Sequence, residues 1–320
     1  MSKIASFYDA QSLSCSLFDD LFLFFKGAED RSYAVFEKYL DLISPKMIIM
    51  LDSRLRNESL SSVELKKYNR IDGMIAEKES VTVKTFSIEN TNVGKALSSF
   101  RLTCDTSIAA DISSMNFWEI CDLLFFLIKI VCVKRIDLFY TEPDFYHYEN
   151  NNISLYDHIR PNVSVNYINS YYSTNTTDKE VLVSMIGFQK DVNKLLKDII
   201  EVPQYYSING FPSFYPKAKD ISQANNWDYL AEIEPANRFS AEANNPFVTF
   251  NTLVDIRKAS KGAFMNICPL CSKPMVIGAC LYALRFPDTT RLVYPYEEAV
   301  DTKADGIGHT YCYRIMGNLD

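Results

Sequence analysis

The feature that most constrains this chain is a pattern written twice. From Phe18, FDDLFLFFKGAEDRSYAVFEKYL runs as an apolar stretch, a break at Lys26-Gly27, and a charged segment with apolar residues at helical spacing. From Lys179, KEVLVSMIGFQKDVNKLLKDII does the same, with its break at Gly187 and an apolar stripe at Val192, Leu195, Leu196 and Ile199. Each reads as a buried strand, a glycine turn and an amphipathic helix. Later elements recur in the same order. SIAADISSMNFWEICDLLFFLIK and GAFMNICPLCSKPMVIGACLYAL are each strand, turn and apolar helix, and KRIDLFYTEPDFY and RLVYPYEEAV are strands ending in Tyr140 and Tyr294. Gly27 lies about 86 positions before Ser113, and Gly187 about 84 before Cys271.

Strands apolar on both faces, alternating with helices, imply parallel sheets covered on both sides. The expected fold class is therefore α/β, as two Rossmann-like parallel-sheet halves related by internal duplication. Residues 1–150 form the first half, 151–178 an irregular Asn- and Tyr-rich connection, and 179–320 the second half. INGFPSFYPKAKD and the following ISQANNWDYL read as a loop over the second sheet.

Composition narrows the function classes. The chain has 320 residues, 48% hydrophobic and 23% charged, which suits a globular protein. A net charge of −7 gives no bulk attraction to a nucleic-acid backbone. The N-terminus lacks the apolar core of a secretory signal. Met115–Val133 is the most apolar stretch, but Glu119, Asp122 and Lys129 within it make a buried helix the better reading than a membrane span. Eight cysteines in a chain of this size, with no export signal, read as reduced thiols in the cytoplasm. Cys268-x-x-Cys271 and His309-x-x-Cys312 have ligand-like spacing, yet the first pair falls in a strand-to-helix turn, so no metal is expected. No Walker loop, Gly-x-Gly-x-x-Gly, His-Glu-x-x-His, deaminase signature or Gly-x-Ser-x-Gly elbow occurs, and no cofactor is implied.

In open α/β sheets ligands bind beyond the carboxyl ends of the strands, where helix N-termini point N–H groups at anions. That rule selects four turns and their neighbours: Gly27, Glu29 and Arg31; Asp111, Ser113 and Ser114; Gly187 to Lys190; and Pro269 to Lys273. The strand-end residues Tyr140, Glu142 and Tyr294 join them. Each has a plainer reading. Glu29 in a first helical turn suits the helix dipole, and Ser113 or Ser114 suits an N-cap. Lys273 before Pro274 suits a helix start. Asp305-Gly306-Ile307-Gly308-His309 is either a substrate-facing loop or a turn into an edge strand.

Asn266–Met275, followed by VIGACLYAL, resembles the signature turn of CRISPR-associated Rossmann fold (CARF) and CARF-like sensor domains, with Pro269, Leu270 and Cys271 in place of glycines. The resemblance implies a sensor of cyclic oligonucleotides or related nucleotides, an antiviral-defence setting, and Lys273 as the residue meeting the anion. The function expected is a ligand-sensing or adaptor protein that holds a nucleotide-like anion between its two halves. The alternatives are a scaffold that binds a protein partner or a second copy through Tyr171, Tyr172, Tyr205, Tyr206, Phe214 and Tyr215, and an enzyme acting on a nucleotide or phosphorylated metabolite with Glu29, Asp111 or Glu142 as acid/base. A basic cleft, a flat aromatic patch or convergent carboxylates would separate the three.

Overall fold

A computed structural model describes residues 5–10, 17, 19–52, 60–76, 82–87, 93–146, 165–167, 179–189, 192–295 and 304–316. The chain divides into two compact units: unit 1 is Met1–Tyr146 with Ala304–Asp320, and unit 2 is His147–Lys303. In chain order the strands are β1 (Ala5–Asp9), β2 (Leu21–Phe25), β3 (Met47–Asp52), β4 (Thr82–Ser87), β5 (Ser107–Asp111), β6 (Arg135–Thr141), β7 (Phe145–Tyr146), β8 (Val165–Tyr167), β9 (Glu180–Ile186), β10 (Gln204–Gly210), β11 (Arg238–Ala241), β12 (Phe264–Pro269), β13 (Thr290–Pro295), β14 (Ala304–Asp305) and β15 (Thr310–Met316). The helices are α1 (Ala34–Ile43), α2 (Ser62–Ala76), α3 (Val93–Ser98), α4 (Phe117–Phe125), α5 (Val192–Ile199), α6 (Ala218–Asn225), α7 (Trp227–Ala231), α8 (Pro246–Ala259) and α9 (Lys273–Arg285).

The sheet of unit 1 has the order β4-β3-β2-β5-β6-β15-β1. Its first five strands are parallel, and β15 is antiparallel to both β6 and β1. Every residue of β2 is buried, as a strand covered on both faces requires. On one face Phe22, Phe24, Ile48, Met50 and Phe139 meet the α1 stripe of Val35, Phe36, Tyr39, Leu40 and Ile43. Ser44 ends α1 in the left-handed conformation, and Pro45 prevents its continuation. The apolar run after Met115 forms α4 and a π-helical turn, Phe126–Ile130. Among the described residues no helix is long and apolar enough to cross a membrane.

The sheet of unit 2 has the order β11-β10-β9-β12-β13-β8, parallel except for β8, which runs antiparallel to β13. α9 is buried from Pro274 to Leu284 and crosses α8 closely, with Gly278 against the Pro246 carbonyl. The fold is thus mixed α/β with two largely parallel sheets. Numbering the parallel strands by their order within each unit, both sheets read 3-2-1-4-5, as in doubly wound nucleotide-binding folds.

Two features differ from the sequence reading. Residues 304–316 were expected in the second half, as a substrate-facing loop or a turn into an edge strand, but β15 lies inside the sheet of unit 1, paired on both sides. ISQANNWDYL was expected to be irregular, yet most of it is α6 and α7, joined at Asn226. Side-chain bonds from Asn226 to Gly187 O and Ser222 O supply the local order that composition does not reveal. Of the 151–178 connection, only β8 lies within the described residues.

Candidate functional site

The strand order reverses between β2 and β5 in unit 1, so the carboxyl ends of these strands bound the crevice where such folds seat ligands. Gly27 follows β2. A Cβ added there would fall 2.5 Å from Ser32 Oγ and 2.6 Å from Ser114 Oγ, so the turn after β2 and the turn after β5 touch through hydroxyls. The Tyr33 hydroxyl fixes the Gly27 turn, 2.6 Å from Gly27 O and accepting the Gly27 N–H at 3.2 Å. Lys26 is buried with Nζ 3.0 Å from both carboxylate oxygens of Asp72 and 4.7 Å from the Tyr68 ring centre. Its charge is therefore already matched.

Arg31 is the hub of the site. Its Nε donates to Glu29 at 2.5 Å, and its Nη1 to the Tyr140 hydroxyl at 3.3 Å and Thr141 O at 3.2 Å. Burial works against the guanidinium charge, but Glu29 and the surrounding tyrosines more than offset it, so Arg31 stays charged at any working pH. The turn after β5 is tied to the same place. Asp111 Oδ1 accepts the Ser113 N–H at 2.9 Å, and Ser113 Oγ accepts the Thr141 N–H at 2.8 Å. Neither serine caps a helix. Asn116 is the N-cap of α4, in a reciprocal capping box with Glu119.

Glu142 follows β6, its N–H donating to His309 O at 2.9 Å and its carbonyl accepting from Gly308 N at 2.8 Å. The Asp305–His309 loop thus wraps the end of β6, and Gly306 N donates to Asp30 Oδ2 at 3.1 Å. Lys67 joins Asp30 and Asp305 at 2.9 and 3.4 Å. Burial pushes the Glu142 carboxyl up to about 8; Arg31 pulls it back and Asp144 adds to the rise. Burial also raises Tyr140 and Tyr146. The structure therefore gathers Gly27, Glu29, Arg31, Asp111, Ser113, Ser114, Tyr140 and Glu142 at one end of one sheet.

Gly187 and Lys273 belong to unit 2, as does Tyr294, whose side chain lies outside the described set, as does Lys190. There the equivalent crevice is filled by the chain itself. A Cβ on Gly187 would fall 2.1 Å from the Leu270 carbonyl oxygen, which also presents the wrong sign to an anion. Ser272 is the N-cap of α9 and Lys273 its first residue, with Pro274 next. The Gly187 turn is held from the other side by amides, Asn226 Nδ2 to Gly187 O at 3.2 Å and Asn225 Nδ2 to Phe188 O at 2.7 Å. Asn193 Nδ2 in turn reaches Asn226 Oδ1 at 2.8 Å. Sequence reading missed this amide network; the Asn225-Asn226 pair was its one visible trace.

Among the described residues no group of three or more His, Cys, Asp and Glu side chains is disposed to hold a metal. Cys268 packs in the core with Leu182, Leu196 and Val293, and burial pushes the Cys271 thiol well up. Of the aromatics expected to form an exposed patch, Tyr206 is buried in β10, while Tyr171 and Tyr172 lie outside the described residues. The exposed aromatics of unit 2 include instead Phe211 and Trp227.

No family model matches the chain, and no curated protein matches it in sequence. Among solved structures it is similar to phosphoethanolamine N-methyltransferase 1 of Haemonchus contortus in complex with phosphoethanolamine and S-adenosylhomocysteine. That likeness covers 96% of this chain and 90% of that chain at 7% identity, with a TM-score of 0.24, a level that carries no functional argument.

Proposed function

We propose that the protein is a ligand-sensing or adaptor module that seats a nucleotide-like anion at the carboxyl end of the unit 1 sheet. The observation that carries this is the convergence of Arg31 with the hydroxyls of Ser32, Ser113, Ser114 and Tyr140 at the point where the strand order reverses. Hydroxyls and a guanidinium are the donors that a phosphate or carboxylate uses. The same position in unit 2 is occupied by the Leu270 carbonyl, which supports a structural role for that unit. The duplication proposed from the sequence is supported by the common 3-2-1-4-5 order and by an antiparallel strand beside the fifth parallel strand in each sheet. That extra strand comes last in unit 1 and first in unit 2, so the two copies would differ by a permutation.

Calorimetry with mononucleotides and cyclic oligonucleotides tests the reading. Binding by at least one member is expected, with Arg31→Gln weakening it at least tenfold and Lys273→Glu leaving it unchanged. Loss of binding in Lys273→Glu with Arg31→Gln unaffected would move the ligand to unit 2. No binding by any member would remove the sensor reading.

A further inference from the structure

Glu142 stands out among the buried acids described in unit 1. Glu142 is 8% exposed, yet its carboxyl makes no hydrogen bond or ion pair among the described residues. A largely buried carboxyl with no protein donor is costly to ionise, because little solvates the charge. Glu142 is the first residue beyond β6, directly after Thr141, whose carbonyl accepts from Arg31 Nη1 at 3.2 Å. Tyr140 is bonded to Arg31 Nη1, so Glu142 lies in the field of the guanidinium.

Arg31 has its own vacancy. Its Nε and Nη1 are engaged by Glu29, Tyr140 and Thr141, while Nη2 donates to no described residue. The charged and titratable groups about Glu142 are Arg31 and Glu29 from the turn after β2, Tyr140 from β6, Asp144 from the turn beyond it, Tyr146 from β7, and Tyr313 from β15. Glu29 already balances Arg31. Asp144 already adds a negative charge beside Glu142, and an ionised Glu142 would add another, whereas a protonated Glu142 adds none and turns the acid into a donor. Burial pushes this carboxyl to about 8, so it carries a proton at neutral pH before any ligand arrives.

Resting on the reading above, we propose that this corner of unit 1 binds an oxyanion together with a proton, the anion's oxygens bridging Nη2 of Arg31 and the protonated carboxyl of Glu142. Two donors without acceptors match two oxygens of one phosphate, sulfate or carboxylate group. The proton is held and not transferred. It keeps the carboxyl from repelling the anion.

Calorimetric titration from pH 6.5 to 9.5 tests this, with sulfate as an anion whose charge is constant over the range and adenosine monophosphate as the nucleotide. Wild-type affinity for sulfate is expected to be flat below about pH 8 and to fall about tenfold per pH unit above it. Glu142→Gln, whose amide donates at every pH, should keep the low-pH affinity within a few-fold and lose the pH dependence. Glu142→Ala should weaken binding at all pH values; if that variant does not fold, the wild-type profile and Glu142→Gln decide alone. Parallel profiles for the two probes assign the site to the oxyanion itself, and tighter adenosine monophosphate binding adds contacts to the nucleoside. Binding that is flat across the range, or a Glu142→Gln variant that keeps the slope, overturns the proton linkage and leaves anion binding intact. Absence of binding by both probes at every pH removes the ligand site altogether.

Discussion

Replacing Gly278 with Ala offers a test whose sign is set by a single distance. An alanine Cβ at this position of α9 would lie 2.3 Å from the Pro246 carbonyl oxygen, 2.7 Å from Thr249 Cβ and 3.0 Å from Thr249 Cγ2. Ordinary contact needs more than 3 Å, so α8 and α9 must separate by about 1 Å. Neither side has room to give: Thr249 is fully buried, and α9 is buried along all of its central length. Overpacking of this kind costs about 1–3 kcal/mol. Here the obstacle is backbone, which favours the upper end. Alanine's better helix propensity returns about 1 kcal/mol, leaving a net loss of about 1–2 kcal/mol. Urea denaturation of the whole chain, with circular dichroism and Trp fluorescence as probes, reads the change. Gly73→Ala is the matched control. It makes the same chemical change inside α2, where nothing lies within 4 Å of the new Cβ, and it should stabilise by about 0.5–1 kcal/mol. If Gly278→Ala also stabilises, the helices do not approach as described and the argument fails.

Two further perturbations follow from the buried polar groups. Asp19 is buried and pushed up to about 6, burial outweighing its hydrogen bond to Arg135. Its folded-state value lies above the ordinary 3.8, so its contribution to stability is full below about pH 4 and is lost as pH rises through about 6. A urea midpoint that falls across that window in wild type, and falls less in Asp19→Asn, is the expected result; identical slopes would contradict it. Tyr33→Phe removes the hydroxyl that holds the Gly27 turn and should cost about 1–2 kcal/mol, measured by thermal unfolding.

The strands and turns were legible because their signals are local. LFLFFKG and LVSMIG announce a buried strand and a glycine turn without outside help, and both glycines prove to be close-contact positions. The same rule about strand ends picked out the unit 1 residues that the structure brings together at one end of the sheet. What stayed hidden depended on partners far along the chain. Lys26 finds its carboxylate at Asp72, and Arg31 its acceptors at Tyr140 and Thr141, separations that no periodicity encodes. The return of residues 310–316 to unit 1 was missed because an apolar segment carries no address. One signal was present and passed over: Asn116-x-x-Glu119 is a capping-box pattern, and it places the start of α4 beyond the two serines.

The interrupted course of unit 1 bears on how the chain is made. β15 follows all of unit 2 in sequence but stands between β6 and β1. During synthesis unit 2 therefore emerges, with every strand of its own sheet, before the first sheet can be closed. For that interval β6 has one unpaired edge and β1 has no place to dock, and such open edges are where chains join one another in the wrong register. Once β6 has left the ribosome, its open edge waits through the making of the rest of unit 2 until residues 310–316 arrive.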